Sequence, residues 1–248
     1  MLRVMDLFSG IGGFSLGLKK AGGFRTVAYC EIDPYCQKVL QARMSDGSLD
    51  TAPICSDITK LDGRPWGGAV DCITGGFPCQ DISVAGKGGG IDGEASGLWR
   101  EFARLIGEIR PLFALVENSA ALLGRGLERV LGDLAEIGYD AQWRCLEVLH
   151  FGLPHLRNRI YLLAYPMSHG LQGCVQRNAK GSGSRDIHAQ IFSPLPLCGG
   201  KENDLPPPYV TGTNDGIPNR MDRIGALGNA VANQVIAWIG QRILERQT

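Results

Sequence analysis

No stretch of this chain reaches the roughly 18 uninterrupted apolar residues of a membrane span, so no membrane partner is expected. None of the eight cysteines falls into a CxxC or Cys/His zinc spacing, so no metal is expected either. The second residue already opens a strand-like run, which leaves no room for a secretory leader. Eight thiols in such a chain read as reduced cysteines of a cytoplasmic protein, not as a disulfide framework. There is also no net charge, which removes the simplest argument for nucleic acid. The zero hides local bias. Residues 157–223 hold eight bases and five acids, an excess of three.

What is present is a pattern of strands, glycine turns and helices. The 248 residues, 44% hydrophobic and 20% charged, suit one sizeable domain or a main domain with a small appendage. Leu2–Leu7 predicts a strand that breaks into Phe8-Ser9-Gly10-Ile11-Gly12-Gly13, and a helix follows up to Gly22-Gly23. This is close to a dinucleotide fingerprint without its full glycine spacing. Thr26–Cys30 predicts a second strand ending in Glu31, where nucleoside-binding sheets place an acid on a ribose. Asp33-Pro34 then reads as an N-cap and first helical turn. A third short strand, 52–55, leads to Asp57, either a hydrogen-bond partner for an adenine amine or the cap of a turn.

Ala69–Thr74 predicts a buried strand that ends in Gly75-Gly76-Phe77-Pro78-Cys79-Gln80-Asp81-Ile82-Ser83. A cysteine at that point is either a nucleophile at the rim of the sheet or one more small buried hydrophobe. Residues 85–97 carry six glycines and read as a lid or a plain loop. A helix follows to Arg110, stopped by Pro111. Leu112–Val116 is apolar throughout and delivers Glu117-Asn118 to the same rim as Cys79. A helix over 127–137 and strands over 141–148 and 160–164 complete the regular part, with Arg157 and Arg159 spaced to share one face. From 165 to 217 glycine, serine and proline accumulate and periodicity fades, before a closing helix at 232–244. The fold class expected is α/β, a doubly wound, mostly parallel sheet with a small irregular insert. Its catalytic part would comprise 1–164 and 218–248, and the insert 165–217.

Assembled in order, these stretches resemble the cytosine-C5 DNA methyltransferase family, in particular its short phage and prophage members. Asp6–Phe14 is similar to the loop that holds S-adenosylmethionine (SAM), Glu31 to the ribose acid and Asp57 to the adenine contact. Gly76–Gln80 matches the nucleophile motif and Glu117-Asn118-Ser119 the Glu-Asn-Val motif. Arg157-x-Arg159 matches the Gln-x-Arg-x-Arg motif, and Gly228–Val231 the last cofactor motif. The family pattern differs at His155, where Gln is commoner, and at Ser119, where Val is. Only about 165–217 is left unmatched, and its brevity points to a short target of a few base pairs.

The resemblance implies methyl transfer from SAM to carbon 5 of a cytosine flipped out of duplex DNA, leaving S-adenosylhomocysteine. Cys79 would add to carbon 6, Glu117 would engage the ring, and Arg157 and Arg159 would hold the base carbonyl or phosphates. Asp6, Phe8, Gly10, Ile11, Gly12, Gly13, Glu31, Ile32, Asp57, Ile58, Pro78, Asn229 and Ala230 would line the cofactor. Gln80, Ser83, Asn118, Arg220 and Arg223 would meet the DNA, with 85–97 closing over the flipped base. A monomer is expected, with no restriction endonuclease required as partner. Competing readings are an RNA cytosine methyltransferase, an inactive DNA-binding homologue and a nicotinamide dehydrogenase. Intact Cys79 and Glu117 oppose the second, and the imperfect glycine spacing opposes the third.

Overall fold

A computed structural model describes residues 1–78, 97–153, 156–167, 191–192 and 230–246. Among them, seven strands form one sheet in the order β3-β2-β1-β4-β5-β7-β6. These are β1 (Leu2–Leu7), β2 (Phe24–Cys30), β3 (Ile54–Cys55), β4 (Cys72–Gly75), β5 (Phe113–Ser119), β6 (Tyr139–Glu147) and β7 (Asn158–Pro166). The first five run parallel, whereas β7 lies antiparallel to both β5 and β6. The strand order turns back between β1 and β4, the crevice where open α/β sheets collect ligands. The expected α/β class is what the chain forms.

Two helices, α1 (Gly13–Ala21) and the closing α6 (Asn233–Leu244), cover one face. Their axes come close because Gly17 has no side chain. A Cβ there would sit 2.6 Å from Ile236 Cβ, and the glycine lets Val235, Ile236 and Ile239 bury on the sheet. The other face carries α3 (Leu98–Ile109), α4 (Leu122–Arg125) and α5 (Leu127–Glu136). In α3, Trp99, Phe102, Ala103, Leu105, Ile106 and Ile109 recur at helical spacing and are all buried. Each of its large apolar side chains contributes about 2–3 kcal/mol of burial. Helix α2 (Pro34–Ser45) packs Leu40 on Tyr29 and Leu49, and the Asp33 carboxylate caps it by accepting from the Tyr35 and Cys36 amides.

Several boundaries moved, for local reasons. The strand expected from Ala69 begins at Cys72, because Asp71 is committed to Arg3: its carboxylate takes hydrogen bonds from the Arg3 amide and guanidinium at 2.8–2.9 Å. The third strand shrinks to two residues. The last strand, expected to end at Ala164, continues to Pro166, held in register with Tyr139 of β6. Ile191 and Phe192, inside the stretch expected to form the insert, bury on the α6 face, where the Phe192 carbonyl accepts from Arg144. The remainder of 168–229 lies outside the described residues.

Candidate active site

The crevice begins where β1 ends. Phe8 takes a left-handed backbone, φ 50°, rare for a bulky residue. Gly10, at φ 53°, carries the turn on, and a Cβ there would meet no atom within 4 Å. Two anchors hold this loop. The Ser9 hydroxyl donates to the Asp6 carbonyl at 2.6 Å and receives the Cys30 amide at 3.2 Å. The Glu31 carboxylate, at the end of β2, accepts from the amides of Gly10 (2.6 Å) and Asp33 (2.8 Å). On the far side, Gly13 abuts Val231, next to Ala230 and ahead of α6; a Cβ on it would fall 2.6 Å from the valine methyl. Loop, strand end and closing segment therefore meet at one point.

Beside Glu31, Ile32 is 74% exposed, an apolar side chain next to an acid whose unused lone pairs can still accept hydrogen bonds. Asp57 caps a turn and keeps its side chain 27% exposed. It accepts from the Thr59 amide (3.0 Å) and hydroxyl (2.7 Å) and pairs with Lys60 at 3.2 Å. The Thr59 hydroxyl is the main reason its pKa lies below the usual carboxylate range. Its neighbour Ile58 is buried in the core. Asp6 lies beneath the loop, fully buried, and accepts from Ser15 (2.6 Å) and Thr74 (3.0 Å). Burial pushes its pKa up to about 7 against the pull of those hydroxyls. That position makes Asp6 a support under the loop; its carboxylate has no exposed face to offer a ligand.

Across the crevice, β4 ends in the two glycines. A side chain on Gly75 would strike the Leu7 carbonyl and come within 2.9 Å of the Phe102 ring. One on Gly76 would lie 2.9 Å from Glu117 Oε2. Phe77 is buried against Trp99, rings 5.4 Å apart, and its carbonyl accepts the Asn118 side-chain amide at 3.1 Å. Asn118 thus binds the turn from the end of β5. The described chain stops at Pro78; Cys79, Gln80, Ser83 and the 85–96 glycines lie outside it, as do Arg220, Arg223 and Asn229.

Glu117 closes the arrangement. It sits buried at the end of β5, with Arg159 Nε 3.1 Å and Arg157 Nη2 4.0 Å from Oε1. The Arg159 contact is an ion pair whose N–H is not aligned on the oxygen, so among the described residues Oε1 lacks a hydrogen-bond donor. Burial raises the Glu117 pKa; Arg159 first, then Arg157, pull it back. The reversed direction of β7 is what puts both arginines here. Its starting end meets the finishing end of β5, with Ser119 opposite Arg159 and Glu117 opposite Tyr161. Tyr161 was not among the expected site residues, although its i, i+2 spacing from Arg159 is a visible signal. Its hydroxyl is buried with no hydrogen-bond partner among the described residues, and burial beside Glu117 pushes its pKa upward. Among those same residues, no three His, Cys, Asp or Glu side chains gather as a metal site.

A family model, C-5 cytosine-specific DNA methylase, matches residues 2–191, more than half of the chain. The chain belongs to this family. Among curated members, the Type II methyltransferase M2.BsuMI of Bacillus subtilis (strain 168) is 36% identical over 171 residues, 66% of this chain and 42% of that protein. The chain thus spans about two fifths of the length of such relatives. A crystal structure of a prophage-encoded E. coli protein described as a DNA modification methyltransferase superposes with a TM-score of 0.55. It shares 26% identity over 68% of this chain and 47% of that one. The Entamoeba histolytica methyltransferase EhMeth aligns over 100% of this chain and 99% of its own, with a TM-score of 0.66. At 13% identity, it supports the fold alone.

Proposed function

We propose that this chain is a DNA cytosine-5 methyltransferase that uses SAM and attacks a flipped-out cytosine through Cys79. The observation that carries the reading is Glu117, a buried carboxyl held between two arginines and set against Gly76, three residues before the cysteine. A target carbon inside a duplex is out of reach, so the base must leave the stack.

The residues present fit the cofactor. Glu31 is already oriented by two amides, the loop around Gly10 opens on free space, and Ile32 offers an apolar surface. Phe8, Gly10–Gly13, Glu31 and Ile32, Asp57 and Ile58, and Pro78 with Asn229 and Ala230 would hold it. When bound, SAM supplies an electrophilic methyl group on a sulfonium.

The Cys79 thiolate adds to carbon 6 of the cytosine. As that bond forms, protonated Glu117 gives its proton to ring N3, so no full negative charge accumulates on the base. This requires a carboxyl that keeps its proton near neutrality, the direction in which burial drives Glu117. Arg159 and Arg157 hold the carbonyl edge, and Asn118 fixes the turn that carries the nucleophile. Carbon 5, now enamine-like, takes the methyl. A water-held base then removes the carbon-5 proton, N3 returns its proton to Glu117, and Cys79 leaves as thiolate. Duplex DNA is the proposed partner, the protein acting as a monomer in the cytoplasm; among the described residues, no helix is long and apolar enough to cross a membrane.

Bisulfite sequencing of DNA from cells expressing the chain identifies the target. Duplex DNA with 5-fluorocytosine at that target should then trap a covalent adduct, because fluorine cannot depart as a proton. Cys79→Ser should form none while still binding cofactor. Methylation of a transfer RNA but not of duplex DNA would replace the substrate assignment.

A further inference from the structure

We infer that Arg104, which lies outside the crevice on α3, is a positioning residue that sets cofactor affinity by holding the Asp57–Leu61 turn from behind. The inference rests on the proposal that this turn walls the cofactor pocket.

The turn is short, and its own bonds are local, from Thr59, Lys60 and Leu61. Asp57 caps a single tight turn over Ile58–Lys60, and β3 before it is two residues long. The Ile58 carbonyl accepts the Leu61 amide at 3.2 Å, and one side chain from α3 adds a second donor there and takes the Leu61 carbonyl as well. Arg104 Nη2 donates to the Ile58 carbonyl and Nη1 to the Leu61 carbonyl, both at 3.0 Å. The rest of the guanidinium is used as well. Nε reaches Glu101 at 2.8 Å, and Nη1 also meets Glu108 at 2.9 Å. Glu108 in turn accepts the Gly63 amide at 2.8 Å. Three backbone groups of 58–63 are therefore fixed by two side chains one helical turn apart on α3. A planar five-donor fork can hold two carbonyls and two carboxylates at once; an ammonium cannot.

Helix α3 is itself anchored to the other walls of the crevice. Phe102 stacks on Phe8 of the glycine loop, centroids 6.4 Å apart, and Trp99 packs on both Phe102 (5.8 Å) and Phe77 (5.4 Å). The helix that holds the Asp57 turn is thus the one that fixes Phe8 and Phe77. Arg104 transmits that placement to the turn and touches no reacting atom.

Calorimetric titration of the 248-residue chain with S-adenosylhomocysteine tests this without requiring turnover. Arg104→Lys keeps the charge and loses the fork, and should weaken binding by about tenfold, the worth of one to two hydrogen bonds. Its melting temperature without ligand should stay within a few degrees of the parent. Arg64→Met is the control: Arg64 pairs with Asp62 in the same segment but holds neither the Ile58 nor the Leu61 carbonyl, and its affinity should stay within about twofold. Unchanged affinity in Arg104→Lys, or an equal loss in Arg64→Met, overturns the inference alone. A parent chain that does not bind S-adenosylhomocysteine overturns the cofactor proposal, and this inference with it.

Discussion

Two buried carboxylates flank the point where the strand order turns back, and they are treated in opposite ways. Asp6, on β1, is enclosed by the hydroxyls of Ser15 and Thr74, with Thr26 behind Ser15 at 3.0 Å. Glu117, on β5, faces two arginines and the bare backbone of Gly76, with one oxygen lacking a donor among the described residues. Both pKa values rise through burial, but the partners differ in kind. Hydroxyls satisfy a carboxyl whether or not it is ionised, so Asp6 is a closed, self-sufficient knot under the Phe8–Gly13 loop. Arginines respond to charge, so the protonation of Glu117 stays sensitive to whatever charge is brought beside it. Burial alone does not distinguish the two; the charged partners of Glu117 and its unfinished hydrogen bonding among the described residues are what favour it as the proposed acid.

Replacing Glu117 by Gln breaks this contrast most severely. It keeps the shape but removes the exchangeable proton, and kcat on the identified target should fall by about 10²–10⁴-fold with S-adenosylhomocysteine affinity nearly intact. A loss of less than tenfold would make Glu117 as structural as Asp6. Arg159→Met sharpens the comparison through pH. Arg159 pulls the Glu117 pKa down, so removing it raises that pKa further. Because the protonated form is the donor, activity declines as pH rises through this pKa. The alkaline limb of the kcat profile should therefore move to higher pH, with kcat itself reduced by about tenfold.

Asp6→Asn should have the smallest effect on turnover and a distinct one on stability. A carboxyl whose folded pKa is about 7, above the usual unfolded value of about 3.9, contributes stability that is fully present below the unfolded pKa and lost as pH rises through the folded one. Unfolding free energy should fall between about pH 4 and 7 in the parent, by up to roughly 1.4 kcal/mol per pH unit from this group, and the melting temperature with it. The Asn variant should lack that slope. Identical pH profiles would mean that Asp6 is ionised throughout.

Much of the architecture was legible because parallel strands buried on both faces read as apolar runs closed by glycine or acid. The ends of β1 and β2, with Glu31, follow from that pattern; β4 runs one residue further, into Gly75, and β5 runs three past Val116, through Glu117 to Ser119. Strand order and direction do not follow from it. Nothing in the periodicity of 158–166 says that β7 enters between β5 and β6 or runs backwards, since a reversed strand alternates as a parallel one does. The same blindness hid Tyr161, Arg104 and the hydroxyls around Asp6, whose roles arise only when segments far apart in sequence meet. Asp57 was legible only as a pair of options, because a carboxylate two residues before a threonine suits a cap as well as a ligand contact.

The reversed strand has one more consequence. Arg159 and Glu117 come from strands that pass in opposite directions, so their meeting depends on how far β7 slides along β5, not on either side chain alone. A slip of one residue would turn Arg159 to the opposite face and bring an asparagine or an isoleucine in its place. The Glu117–Arg159 pair is in this sense a vernier, and the hydrogen bond from the Val148 amide to the Arg157 carbonyl, 3.1 Å, sits at its zero.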